Sequence, residues 1–120
     1  MLELFVLLSI KHAVADLILQ SMKYNPGSMK KSEYPLGGHG HYLDHSALTF
    51  CVFLFFVPWP IALLAAFVDH IFHWHIDYAK QRYIQWKNIP IRSMAYWNAA
   101  GIDQILHFIT YYILVITFYI

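Results

Sequence analysis

Charged side chains are scarce in this chain of 120 residues, where Asp, Glu, Lys and Arg make up only 12%. Soluble domains usually carry about 25%. Hydrophobic residues reach 59% and aromatic residues 18%. This composition is typical of a membrane protein, and the length predicts one domain. The net charge of +1 and the scattered basic residues argue against nucleic acid as a partner.

Cysteine is also scarce, because Cys51 is the only one in the chain. A disulfide framework and a cysteine-based zinc finger are therefore both excluded. The first apolar run lacks the basic segment that precedes a cleavable signal, and it already contains His12 and Asp16. We expect this run to be retained as a helix.

Long apolar runs predict four transmembrane helices, because about 17–25 residues suffice to cross a bilayer. The predicted helices cover about residues 2–21, 41–57, 59–82 and 94–120, and the loops between them include 22–38 and 83–93. Proline and glycine interrupt the first of these loops. The predicted fold is an all-α polytopic membrane protein, a four-helix transmembrane bundle that forms one domain over residues 1–120.

Basic residues predict how this bundle would be oriented. They fall in or beside the two loops and comprise Lys23, Lys30, Lys31, Lys80, Arg82, Lys87 and Arg92. Since positive charge marks cytoplasmic loops, we predict an inner (plasma) membrane location with both loops cytoplasmic and both termini outside. In this interpretation Lys80 and Arg82 anchor a helix at the membrane interface.

Ionisable side chains recur four residues apart in every predicted helix, a spacing that places them on one helical stripe. The third helix carries Asp69, His73 and Asp77. The other helices carry the pairs His12 and Asp16, His41 and His45, and Asp103 and His107. At a rise of about 1.5 Å per residue the four sets lie at a similar depth. Such groups are costly in a membrane unless they face a partner or an ion.

Imidazole and carboxylate groups are ligands for divalent transition metals, here Zn²⁺ or Fe²⁺ with Mn²⁺ as a further option. The predicted ligands are His12, Asp16, His41, His45, His73, Asp77, Asp103 and His107. They outnumber the four ligands of one tetrahedral ion, so we predict two ions, as in other four-helix dimetal sites. Asp69 is the predicted catalytic residue, which orients a water or acts as base. Gln20 and Gln104 are expected to support the ligands.

Other polar residues of these helices are expected to lie outside the site. His75 points away from His73, and His39 sits in a glycine-rich stretch. Asp44 is off the stripe of the second helix, and His70 lies at the edge of the third and fits either environment. Two alternatives to a metal site remain open, namely a structural His–Asp hydrogen-bond network and proton or ion translocation without a fixed metal.

The ordered pattern resembles a family of small bacterial and phage integral membrane proteins of unknown function. The segments that carry this resemblance are 11–20, the pair His41 and His45, 73–80 and 103–107, and the resemblance extends over nearly the whole chain. More loosely, His41 and His45-Ser46 are similar to inner-membrane metal-dependent hydrolases. The resemblance implies a His/Asp site and leaves the reaction open.

The predicted function is that of a metal-dependent hydrolase acting on a lipid or another membrane-borne small molecule. One alternative is a di-iron-type membrane oxidase or hydroxylase, which would use the same ligands. A second is a small transporter or an ion- or proton-conducting oligomer. Membrane lipids are expected partners, and a homo-oligomer is expected because four helices leave much surface for sister subunits.

Overall fold

Four helices make up the regular structure of the parts of the chain described by the computed structural model, residues 1–23 and 30–120. The first begins as Leu2–Ala13 and continues through a π-helical segment, Val14–Leu19, into Gln20–Lys23. The second, third and fourth helices are His39–Phe53, Trp59–Trp86 and Met94–Phe118. The predicted loop 22–38 lies partly outside the described residues, and its described part from Lys30 onward consists of turns.

Local sequence explains where three of these helices begin. The second follows Gly38, whose φ of 85° is left-handed and favours glycine; a Cβ there would lie 2.7 Å from the Tyr42 hydroxyl oxygen. Pro60 occupies the first turn of the third helix, where no backbone N–H is needed. The Ser93 hydroxyl caps the fourth by accepting from the Tyr96 N–H at 3.2 Å.

The apolar core fills one end of this elongated bundle, which measures 44 × 24 × 24 Å. The third helix packs against both the second and the fourth, and the first packs against the same two. The buried core residues are Leu4, Leu8, Phe53, Ala62, Ala65, Tyr111, Leu114 and Val115. Beyond this core, the next inward-facing positions of the helices are occupied by histidine, aspartate and lysine.

The predicted polytopic membrane fold is wrong. Among the described residues, Met94–Phe118 alone is long and apolar enough to cross a membrane, with a mean hydropathy of 1.5 over its best window. The second helix has 15 residues, fewer than the roughly 20 that a crossing needs. The third helix has 28 residues, but its histidines and carboxylates lower its mean hydropathy. The first is interrupted by the π-helical segment and carries Lys11 and Asp16.

The predicted inner-membrane location, with both loops cytoplasmic and both termini outside, is wrong for the same reason, since it requires four crossings and one of the described helices qualifies. The scarcity of Asp, Glu, Lys and Arg was misleading because eight histidines carry much of the polarity. These ionisable stripes are buried against other helices of the same chain.

Candidate metal centre

Histidine and aspartate side chains from all four helices meet in the middle of the bundle. In one group, Asp16, His41, His45 and His73 offer ligand atoms that all lie within 4.8 Å of one another. In a second group, the same condition holds for His73, Asp77 and His107. His73 belongs to both groups, so the two candidate sites are adjacent. We refer to these six residues as the His/Asp cluster.

Asp16 gathers three imidazoles around one carboxylate. Its Oδ1 lies 2.8 Å from His45 Nε2 and 3.2 Å from His41 Nε2, and its Oδ2 lies 3.0 Å from His12 Nε2. Asp16 belongs to the π-helical segment, a wider turn that is frequent at functional sites. Its side chain is 22% exposed, which makes it the most accessible member of the first group.

Asp77 plays the corresponding part in the second group. Its Oδ1 lies 2.9 Å from His107 Nε2, and its Oδ2 lies 3.3 Å from His73 Nε2. The same Oδ2 is 3.7 Å from His41 Nε2, so His41 stands between the two aspartates. Lys31 balances the buried charge, with its Nζ 2.8 Å from Asp77 Oδ2.

His73 lies at the centre of the cluster and is fully buried. Its ring centroid is 3.8 Å from that of His45 and 4.1 Å from that of His107. Neither of its ring nitrogens makes a hydrogen bond within the described residues, although Nε2 is close to Asp77, and the same is true of His41. Buried polar atoms without partners are costly, and a metal ion that accepts the lone pair of one nitrogen of each ring would reduce that cost. The residues therefore fit a metal.

The protonation states also suit metal ligation, which requires neutral imidazole and ionised carboxylate. Burial lowers the pKa of His73 well below its ordinary value and lowers that of His45 to about 3. Burial alone would raise the pKa of Asp16, but the neighbouring imidazoles of His12, His41 and His45 hold it well below its usual range. His107 differs: burial opposes its proton, yet the hydrogen bonds to Asp103 and Asp77 raise its pKa to about 9.

Comparison with known protein families finds one family whose model matches nearly the whole chain. The model of the family described as "Protein of unknown function (DUF3307)" matches residues 4–120. The chain belongs to this family. The expected membership in a family of unknown function is thus confirmed, whereas the family description says nothing of membranes, bacteria or phages. No curated protein and no solved structure matches the chain.

In this DUF3307 protein, all eight predicted ligands lie in or beside the cluster. Six form the two groups, and the remaining two, His12 and Asp103, contact them. His12 Nε2 is 3.0 Å from Asp16 Oδ2, and Asp103 Oδ1 is 3.3 Å from His107 Nε2. Gln104 approaches His12, with its Oε1 2.8 Å from Nε2, as expected of a supporting residue. Their role as metal ligands stays a prediction.

Asp69, the predicted catalytic residue, lies in neither ligand group. Its Oδ2 accepts hydrogen bonds from Lys11 Nζ at 3.1 Å and from Thr49 Oγ1 at 2.6 Å. Lys11 in turn donates to the His45 carbonyl at 3.2 Å and lies 3.4 Å from His45 Nδ1. Asp69 thus reaches the cluster through Lys11, and its function as a base stays a prediction.

Sequence reasoning missed the lysines and the tyrosine that contact the cluster. Lys11, Lys31 and Lys80 each pair with a buried aspartate, and the Tyr111 hydroxyl lies 2.6 Å from His12 Nδ1. Lys80, expected as an interfacial anchor, has its Nζ 3.4 Å from Asp103 Oδ2. One signal was available for Lys11, since a lysine inside an apolar run and directly before a candidate ligand needs a buried partner.

The polar residues expected outside the site do lie outside both ligand groups. His75 is exposed, and its Nδ1 is 2.8 Å from the carbonyl oxygen of Ile71. His39 and His70 pair with each other, with 3.0 Å between His39 Nδ1 and His70 Nε2. Asp44 is a member of neither group.

Proposed function

We propose that this protein binds divalent transition-metal ions in the His/Asp cluster and uses them to hydrolyse an amphipathic small molecule. The observation that carries the metal proposal is the buried environment of the His73 imidazole. It is fully buried among other imidazoles, its burial favours the neutral form, and it makes no hydrogen bond within the described residues. An ion is the simplest partner for such a side chain.

Two ions are proposed because the ligands exceed the needs of one. The two groups contain six residues, and His12 and Asp103 stand beside them. A mixed set of imidazole and carboxylate suits Zn²⁺, Fe²⁺ or Mn²⁺. A neutral imidazole has one lone pair and binds one ion, and His73 lies between the two groups, so we expect its loss to remove one ion and to disturb the adjacent one.

Hydrolysis is proposed as the reaction because divalent ions held by imidazole and carboxylate ligands activate water. A bound divalent metal can lower the pKa of water towards neutrality and polarise a carbonyl or phosphoryl oxygen. The chain supplies orientation: Lys11 contacts His45 through Nδ1 and so leaves Nε2 directed at Asp16. Asp69 accepts hydrogen bonds from both Lys11 and Thr49 and so holds Lys11 in that position, which supports an orienting role for Asp69.

The alternatives are less well supported by the structure. A purely structural His–Asp network should align its hydrogen bonds, yet His41 and His73 approach their aspartates only at 3.2 and 3.3 Å and make no well-aligned hydrogen bond within the described residues. A transporter needs several membrane crossings, and one described helix qualifies. A di-iron oxidase would use the same ligands, so the test must include iron content and oxygen consumption.

The metal proposal is tested by melting temperature with and without chelator, combined with elemental analysis. The parent should contain metal and lose thermal stability when it is chelated. His73→Ala should contain little metal and should be insensitive to chelator, because it removes the side chain at the centre of the cluster, which contacts members of both groups. His75→Ala is the matched control on the same helix, and it should keep the metal content and chelator response of the parent.

Metal-free parent protein that also fails to take up Zn²⁺ or Fe²⁺ would refute the site. With metal shown, the reaction is tested on carboxylic and phosphoric esters of p-nitrophenol, with and without chelator. Chelator-sensitive ester cleavage that His73→Ala abolishes supports a hydrolase. Iron in the purified protein together with metal-dependent oxygen consumption and no cleavage would favour the oxidase instead.

A further inference from the structure

The third and fourth helices leave a groove between them, with a volume of about 380 Å³. Its walls are mainly apolar and include Ile76, Ala79, Ala95, Ala99, Ile102 and Leu106. The three alanines open the groove because their side chains fill little of the space between the helices. Sites for small molecules typically measure about 300–1,000 Å³ and have mostly apolar walls with a few polar groups. The groove has both properties.

The polar groups of the groove lie beside the His/Asp cluster. Lys80, Asn98 and Asp103 are its lining residues with amine, amide or carboxylate groups. Lys80 Nζ is 3.4 Å from Asp103 Oδ2, and the other oxygen of Asp103 is 3.3 Å from His107 Nε2. A molecule lying in the groove against Lys80 and Asp103 would therefore be within a single side chain of His107, a candidate metal ligand.

The groove can be reached from solvent. Ile102, on its wall, is 60% exposed and Tyr83 is 48% exposed. Apolar surface that is open to water favours an occupant that covers it. At this size the occupant is a small molecule, since a helix from a partner would need a much longer trough to bury its face.

We propose that this groove binds the aliphatic chain of an amphipathic carboxylate or carboxylic ester, with its oxygen-bearing end held by the Lys80 ammonium and the Asn98 amide. Both groups donate hydrogen bonds, and both a carboxylate and an ester carbonyl accept them. The proposal names the substrate class of the hydrolase proposed above, and it rests on that function for the reaction but not for the binding.

The first test is calorimetric titration of the purified protein with hexanoate, octanoate and decanoate below their micelle concentrations. Burial of each added methylene should tighten binding about fourfold until the groove is full. Lys80→Met should weaken octanoate binding about tenfold or more, because it removes a charged donor. Equal affinities for the three chain lengths would overturn the proposal.

The second test fills the groove. Ala99→Trp should weaken octanoate binding more than tenfold, whereas Ala47→Trp, on an exposed position of the second helix, should bind as the parent does. Ala79→Leu intrudes less and serves if Ala99→Trp fails to fold. Unchanged octanoate affinity in the folded groove variant would overturn the proposal.

Measuring metal content alongside separates the two proposals. Ala99→Trp and Ala79→Leu should keep the metal content of the parent, since neither residue contacts the cluster through a polar group. Groove-dependent octanoate binding by a protein that binds no metal would leave the groove proposal standing and remove the hydrolase. Metal binding together with an octanoate affinity that the groove variants do not change would remove the groove proposal and leave the metal site standing.

Discussion

At the scale of single residues, the buried ion pair between Lys11 and Asp69 is the feature that ties the scaffold to the site. Lys11 is 4% exposed and Asp69 is 1% exposed, with Nζ and Oδ2 3.1 Å apart. Burial lowers the pKa of Lys11, and Asp69 opposes that shift. The Thr49 hydroxyl also donates a hydrogen bond to Asp69, and Lys11 makes its other contacts with His45. Removing either charge leaves the other buried and uncompensated.

Lys11→Met should therefore destabilise the protein by about 3–5 kcal/mol, the usual cost of breaking a buried pair on one side. Urea unfolding followed by circular dichroism measures this. The double variant Lys11→Met/Asp69→Asn should recover part of the loss, because an amide at position 69 can still accept from Thr49 and carries no charge. A double variant that loses the sum of both single losses would show that the two residues do not interact.

At the scale of elements, the first helix contains an irregular π-helical segment and the fourth helix is regular throughout. The first carries its ligand Asp16 in a π-helical segment, so its irregularity belongs to the site. The fourth is a regular helix from Met94 to Phe118, yet it contains an exposed glycine, Gly101. A Cβ placed on Gly101 would meet nothing within 4 Å. This glycine is therefore not required by packing in the isolated chain.

Gly101→Ala should raise the free energy of unfolding by about 0.5–1 kcal/mol, because alanine restricts the unfolded chain and favours the helix. Urea unfolding measures it, and metal content should stay unchanged. Ala100→Gly, the neighbouring position, is the control and should lower stability by a similar amount. A destabilised Gly101→Ala protein would mean that another surface, such as a second copy of the chain, packs closely against Gly101.

At the scale of the whole molecule, the candidate metal centre joins all four helices. Asp16 comes from the first, His41 and His45 from the second, His73 and Asp77 from the third, and His107 from the fourth. Unfolding any one of these helices would remove ligands from the cluster. Metal binding should therefore stabilise the bundle as one unit.

Zn²⁺ at one hundred times its dissociation constant should raise the free energy of unfolding by about 2.7 kcal/mol, provided that it binds the folded chain alone. Amide hydrogen exchange should then slow in all four helices together, and a chelator should reverse the effect. His73→Ala serves as the control and should show no zinc-dependent protection. Protection confined to one helix would contradict a centre shared by the four.

The positions of the candidate ligands were predictable from the sequence, because helical periodicity is a local property. Side chains four residues apart lie on one stripe of a helix, so the sequence alone pairs His73 with Asp77 and Asp103 with His107. The exclusion of His75 followed from the same periodicity. The four helices were predictable for a related reason, although the second begins at His39 and ends at Phe53 and so differs in extent from the predicted 41–57.

Tertiary structure alone decided what surrounds those stripes. An apolar composition does not say whether each separate helix is long and apolar enough to cross a membrane, and among the described helices only Met94–Phe118 is, which is why the membrane prediction failed. The pairing of Lys11 with Asp69 and of Lys31 with Asp77, and the central place of His73 in both ligand groups, are contacts between helices far apart in the chain. They depend on how helices pack, and no local pattern specifies that packing.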